Sequence, residues 1–413
     1  MIEHGKKSLL VIMDSYYPDS RATSYIMRRI LEFLRDRYKI YVYCLELLNR
    51  EDENNRPKEH NGIKIEYAKF ANAKHLLERI YVKIKNSVVV MKYKRKFGTV
   101  YNYYKLSVFM KQIKKFIEAN GIHNVISVAS PADIHVCAEM LVTSCRGISW
   151  FPVSFDPHAY DYRYPKIMRE KFEKEEKILY ENAKRIFFLR QFENDYVNSD
   201  FKEKITYFDL LLFLSNNNNS VQVVNNCSEN KIFTMVYTGS LYKDIRNPTY
   251  AFETLSSLSD IDFRLYIIGG FSGWNKELNA YLEKWKIKFG DKIVFLDRLS
   301  REEIARYFIQ GDFFINIGNT THNQCPSKVF DYIAYGKPII HFKKIENCSC
   351  MQYLKNYPLV CVIDEKEDKS VSALRISDFI KKVQGRRVDL LTLQELYQEC
   401  DVKYVADLFS KYI

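Results

Sequence analysis

Twice along its length the chain alternates short, uninterrupted apolar runs with longer segments of helical spacing, and no other feature limits its fold as strongly. "SLLVIM" (8–13), "KIYVYCLEL" (39–47), "GIKIEYAKF" (62–70), "NVISVAS" (124–130), "GISWFPVSF" (147–155) and "RIFFLR" (185–190) are short and largely apolar on successive residues. Runs of that kind read as strands buried on both faces, as in a parallel sheet. Between the first two, "RATSYIMRRILEFLRDRY" has apolar residues at helical spacing, which makes a βαβ opening. The class is α/β, doubly wound. Around 214–230, "LSNNNNSVQVVNNCSEN" loses both periods, as a linker or surface loop does. The rhythm then restarts with "FTMVYTG", "DFRLYIIGG", "KIVFLD", "DFFINIG" and "KPIIHF". A length of 413 residues suits two domains of about 200 residues each. The expected division is a Rossmann-like domain over 1–205, a linker over 206–230, a second Rossmann-like domain over 231–390 and a closing segment over 391–413.

Several classes are excluded by composition. No window offers the roughly 18 uncharged apolar residues of a spanning helix. The first apolar run is too short for a signal-peptide core and ends at Asp14 rather than at small residues. A cytoplasmic location is expected. Nine cysteines are scattered from Cys44 to Cys400 without a CxxC pair, so neither a disulfide frame nor a zinc site is expected, and the CxC of Cys348 and Cys350 reads as incidental. The formal charge of +12 is uneven: residues 79–115 hold eleven basic residues and no acid. With aromatic and apolar residues interleaved, that stretch suits the anionic inner face of a membrane rather than nucleic acid; the alternative is a solvated helix face over ordinary core positions.

The stretch "PSKVFDYIAYGKPII" (326–340) carries the clearest chemistry. Pro326 suits a first helical turn, Ser327 and Lys328 place a hydroxyl and a cation there for a phosphate, and Asp331 follows one turn later. A carboxylate so placed can accept hydrogen bonds from two ribose hydroxyls. Gly336 ends the helix and Pro338 opens the next strand. The spacing reads as a nucleotide site, and equally as a capped helix with solvated polar residues.

This segment resembles the "PSKxxEYxAxGKPxI" stretch of bacterial sugar-nucleotide-dependent glycosyltransferases of the GT-B fold, near glycosyltransferase family 4. The resemblance implies two Rossmann-like domains, a nucleotide-sugar donor held mainly by the C-terminal one, and Asp331, in place of the usual Glu, on the donor ribose. "VYTGSLYKDIRNP" is similar to the family's strand, glycine loop and diphosphate cation, which implies Gly239, Ser240 and Arg246 at the donor, with Lys243 or Lys328 as second cation. "WFPVSFDPHAYDYRY" is similar to the segment that carries an acid or histidine toward the acceptor. It implies catalytic roles for Asp156 and His158, although Asp156 also suits a turn before Pro157. Two departures stand out. Ser20, Thr23 and Ser24 occupy the place of a glycine pair in the first loop, and Asn323 replaces the first of two acids eight residues apart, where the resemblance still implies a hydrogen bond to the donor sugar.

Asp260 and Asp262 form a DxD ahead of a strand, where a surface turn is expected, and no metal or other cofactor is expected. The resemblance implies transfer from a UDP-sugar to a glycan or lipid-linked acceptor in cell-surface polysaccharide synthesis, at the inner face of the plasma membrane. It also implies that the last helix, "VKYVADLFSKYI", packs back on the N-terminal domain. A sugar-nucleotide epimerase and a non-catalytic scaffold binding polyanions or membranes remain open as alternatives.

Overall fold

The computed structural model describes residues 5–17, 21–45, 56–68, 91, 92, 94, 96, 102–129, 132–161, 164–212 and 232–413. They form two units, residues 1–210 with 402–413, and residues 211–401.

The first unit is built on eight strands: β1 (Lys7–Met13), β2 (Tyr38–Cys44), β3 (Glu59–His60), β4 (Ile63–Tyr67), β5 (Asn124–Ala129), β6 (Ser149–Ser154), β7 (Ile186–Leu189) and β8 (Ile205–Phe208). Their order is β3-β4-β2-β1-β5-β6-β7-β8, with every pairing parallel except β3 with β4. The last five residues of β1 and of β5 are buried on successive positions, as the apolar runs require. The sheet reverses direction of winding between β1 and β5, so the crevice outside their carboxyl ends is where this topology receives ligands.

In the second unit the strands are β9 (Phe233–Thr238), β10 (Leu241–Tyr242), β11 (Phe263–Ile268), β12 (Phe271–Ser272), β13 (Ile293–Leu296), β14 (Phe313–Ile317), β15 (Ile339–Lys343) and β16 (Val360–Asp364). The main sheet runs β13-β11-β9-β14-β15-β16, all parallel, and β10 pairs with β12 beside it. That is the 3-2-1-4-5-6 winding of a dinucleotide fold, with its switch point between β9 and β14. Those two strands are paired only at Met235 with Phe313 and Val236 with Phe314, and they part beyond.

Local chemistry explains the helices that shape this unit. Ser300 caps helix Arg301–Gln310 in a reciprocal box with Glu303. At the far end of that helix the buried Lys337 ammonium donates to the carbonyls of Phe308 and Ile309, each at 2.7 Å, and to that of Gly311. The Lys of the Gly-Lys-Pro sequence is therefore a helix C-terminal cap, satisfying acceptors that the helix leaves open.

The divisions differ from those expected at the start of the linker and at the end of the second domain. Strand β8 pairs with β7, so residues 206–210 belong to the first sheet rather than to a linker. Helix Leu390–Leu396 stays with the second unit, held where Tyr397 Oη donates to Tyr353 O at 2.8 Å. Only residues 402–413 return to the first unit, where Phe409 stacks on Phe187 at 4.2 Å and Arg37 pairs with Asp407. Residues 213–231 lie outside the described residues.

Most of the basic stretch 79–115 also lies outside them, but its last part is helix Tyr103–Asn120. Tyr103, Leu106, Phe109, Met110 and Ile113 are buried there. The apolar residues of this part are therefore spent on the core and not on a membrane, leaving Lys111 and Lys115 exposed. Lys96 is paired with the buried carboxylate of Glu139.

Candidate functional site

At the end of β9 the backbone turns through Thr238, Gly239 and Ser240. Gly239 has φ +121° and Gly269, at the end of β11, has φ +141°, a conformation that residues with a Cβ rarely adopt. A Cβ on Gly269 would lie 2.2 Å from the Gly239 carbonyl oxygen, so the two strand ends cross at a separation only glycine permits. The opposite side of the turn is covered by helix Lys328–Ala334, with the Lys328 stem 3.8 Å from the place of a Cβ on Gly239. Tyr332 of that helix stacks on Phe314, and its buried hydroxyl accepts from the Thr238 N–H at 2.8 Å. The strand end and the helix are thus tied where β9 and β14 diverge.

The cations line this turn unequally. Arg246 donates through Nε to Asn319 Oδ1 at 2.8 Å and through Nη1 to the Ser240 carbonyl at 3.1 Å. Asn319, which follows β14, donates in turn to Gln324 O, and Lys344 pins the neighbouring Asn247 carbonyl while it pairs with Glu365. The guanidinium is thereby positioned across the switch point. Lys328 pairs with Asp331 at 2.8 Å, and Lys243 pairs with Glu277 at 2.6 Å. Of the two candidates for a second cation, Lys328 lies against the Gly239 turn, whereas Lys243 is engaged with an exposed acid.

The helix begins at Lys328, with Ser327 as its N-cap and Pro326 before it, slightly later than the sequence implies. Asn323 is 4% exposed, so it is a buried member of the loop after β14 rather than a displayed one. Ser240, Arg246, Ser327, Lys328 and Asp331 come together on β9, its turn and the helix after β14, all at the carboxyl edge of one sheet.

The first unit places a different chemistry at its own carboxyl edge. Asp156 is exposed directly after β6. His158 follows in a short 3-10 turn and is packed against Phe172 and Tyr164, at 3.9 and 4.9 Å between ring centroids. Behind this turn the fully buried Glu176 accepts from the Ala159 N–H at 2.9 Å and from Tyr196 Oη at 2.5 Å. Burial raises the Glu176 carboxyl to about 7, against the pull of those two donors. Nothing in the sequence marked Asp133. It opens helix Asp133–Ser144 after β5, at the switch point of this sheet, and burial raises its pKa, with Asp14 adding to the rise and Lys105 opposing it. Its apparent place in an ordinary "PAD" turn hid the desolvation that makes it chemically interesting. Thr23 and Ser24 open the first helix, where Ser24 Oγ donates to Ser15 O at 2.8 Å; Ser20 lies outside the described residues.

A cavity of about 640 Å³ adjoins the turn that carries His158, lined by Tyr160, Glu176 and Tyr196 together with acids such as Glu173, Asp195 and Asp200. None of the candidate residues lines it. The DxD acids are engaged at the surface, Asp260 with Lys381 and Ser377 and Asp262 with Lys292.

No protein-family model and no curated protein matches this sequence. Solved structures do match over almost the whole chain. Sucrose-phosphate synthase from Thermosynechococcus elongatus covers 98% of this chain and 98% of its own, with a TM-score of 0.66 at 11% identity. HepE from Anabaena, in complex with UDP, covers 98% of each chain with a TM-score of 0.66 at 10% identity. The lipopolysaccharide outer core galactosyltransferase WaaB covers 98% of this chain and 99% of its own, with a TM-score of 0.62 at 11% identity. The fold is GT-B. At these identities the likeness extends to the doubly wound architecture of both halves, and the roles of individual side chains rest on the geometry described above.

Proposed function

We propose that this GT-B protein is a glycosyltransferase that moves a sugar from a nucleotide-sugar, a UDP-sugar, to a glycan or lipid-linked acceptor in cell-surface polysaccharide synthesis. The observation that carries the reading is the meeting of Arg246, Lys328 and Asp331 around the Gly239 turn at the switch point of the second sheet. A glycine turn admits close backbone approach by a phosphate, a guanidinium and an ammonium match its charge, and a carboxylate one turn along the helix suits a ribose. HepE, in structures with UDP and with UDP-glucose, supports the choice of donor.

In the reaction the acceptor oxygen bonds to the anomeric carbon while the bond from that carbon to the diphosphate breaks. The electron pair leaves with the nucleoside diphosphate, and Arg246 and Lys328 stabilise the charge that accumulates there. The acceptor proton passes to a base of the first unit, Asp156 or Asp133, or to the departing phosphate. Before donor binds, Lys328 and Asp331 neutralise each other, and both exchange that partner for the ligand. His158, held between aromatic rings, hydrogen-bonds donor sugar or phosphate only if its ring leaves that packing. No metal enters this scheme.

Among the described residues no helix is long and apolar enough to cross a membrane. We place the enzyme in the cytoplasm against the inner face of the plasma membrane, through lysines of the 79–115 stretch such as Lys111 and Lys115. The test of the donor site is calorimetric titration of UDP, GDP and ADP into the wild type and Asp331→Ala. UDP is expected to bind, and the variant to bind it more weakly by about 1–3 kcal/mol, the range for hydrogen bonds to a charged group. Unchanged affinity in the variant removes Asp331 from the site. No binding of any nucleotide returns weight to a scaffold, and turnover of a nucleotide-sugar without acceptor to an epimerase.

A further inference from the structure

Directly behind the candidate donor site the second unit gathers four metal-ligating side chains from three separate places. His341 lies on β15, Cys348 and Cys350 on the loop that follows it, and Cys325 immediately before Pro326 in the loop that leads into helix Lys328–Ala334. All four are buried, His341 and Cys350 completely. The donor atoms of His341, Cys348 and Cys350 lie within 4.8 Å of one another. Cys348 Sγ is 3.5 Å from His341 Nε2, and Cys325 Sγ is 3.7 Å from Cys350 Sγ.

We infer that Cys325, His341, Cys348 and Cys350 form a structural zinc site that fastens the loop before Ser327 and Lys328 to strand β15. Tetrahedral zinc, with bonds of about 2.3 Å to sulfur and about 2.0 Å to nitrogen, spaces its ligands by about 3.8 Å between sulfurs and about 3.5 Å between sulfur and nitrogen. The two observed separations match those edges; Cys325 Sγ approaches Cys350 but stands outside the set of three whose donor atoms lie within 4.8 Å of one another, so it must swing inward to become the fourth ligand. Three soft thiol ligands and an imidazole favour zinc over magnesium or calcium. Binding deprotonates the three thiols, whose protons leave to solvent, and no redox partner is needed.

The surroundings support the ligand set. Asn316, buried on β14, places its amide 2.7 Å from His341 Nδ1. With the amide oxygen turned to that nitrogen, Nδ1–H is accepted and Nε2 presents its lone pair to the ion, at the loss of the 3.6 Å contact from the Asn316 amide nitrogen to Cys350 Sγ. Gly318 closes the other side: a Cβ there would lie 3.3 Å from both Cys348 Sγ and His341 Cε1, so a side chain would press into the cluster. The sequence concealed the site because its ligands follow no zinc spacing. Cys325 and His341 are joined to the CxC only by the fold.

The test uses the full chain, produced in zinc-supplemented medium without a metal-binding tag. We expect about one zinc per chain by elemental mass spectrometry, and below about a tenth of that in the Cys348→Ser/Cys350→Ser variant. Because that variant can unfold, cobalt is titrated into reduced, chelator-treated wild type. A thiolate-to-cobalt charge-transfer band with intense visible bands marks a tetrahedral thiolate site. Zinc at that stoichiometry or the cobalt spectrum, each diminished in Cys325→Ser, establishes the site. Absence of both overturns it, as does a disulfide between Cys325 and Cys350 found by peptide mapping of the unreduced chain.

Discussion

The two units share one winding and load it with opposite charge. At the switch point of the first sheet stand Asp14, paired with Arg21, and the desolvated Asp133, with Asp156 one strand away; at that of the second stand Arg246 and Lys328 with a single acid, Asp331. The scaffold therefore fixes where a ligand sits, and the side chains at the strand ends decide what it is. A cationic edge suits a diphosphate, whereas an acidic edge with a desolvated carboxylate is suited to take a proton from a hydroxyl.

The largest effect should come from the acidic edge. Asp156→Asn or Asp133→Asn, whichever carries the base, is expected to lower turnover by about 10²- to 10⁴-fold while UDP affinity stays unchanged. Loss of affinity in step with turnover would erase the division of labour between the units. The second effect concerns stability of the first unit. Glu176 holds its proton to about pH 7 when folded, against an ordinary value of 4.5. The folded chain thus binds more protons than the unfolded one between those values, and stability falls as pH rises from 4.5 to 7, by an order of 3 kcal/mol. Glu176→Gln should flatten that part of a urea-denaturation profile; an unchanged slope would mean the carboxyl is not desolvated.

At the cationic edge Arg246→Ala is expected to weaken UDP by about 1.5–3 kcal/mol, as for a charge-assisted hydrogen bond, measured by calorimetry. Lys243→Ala should change it by less than about 0.5 kcal/mol, since that ammonium is engaged with Glu277 at the surface. Equal losses from the two would give Lys243 a place at the phosphate.

Much of this architecture could be read from the residues because buried parallel strands announce themselves as unbroken apolar runs. Where a strand closes the edge of a sheet, the signal can fail. "ITYF" of β8 and "VCVID" of β16 are the last strands of their sheets and are not buried on every successive residue, and the first of them moved the domain boundary. Ser327, Lys328 and Asp331 were legible because the helix puts neighbours in sequence beside one another. Asp133 and the approaches of Cys348 to His341 and of Cys325 to Cys350 were not, since desolvation and contacts between separate segments leave no mark on local spacing. The same holds for Lys337, whose charge suggests a ligand and whose burial assigns it to three carbonyls.

The Tyr332 hydroxyl has a consequence for the ligand. Its bond to the Thr238 N–H closes the gap where β9 and β14 separate, so the glycine turn and the helix bearing Lys328 are already joined before any nucleotide arrives. The Thr238 amide should accordingly exchange its hydrogen slowly in the free protein. Nucleotide would then meet a receptor that has surrendered its backbone entropy at folding, and affinity would reflect contact chemistry with little cost of ordering.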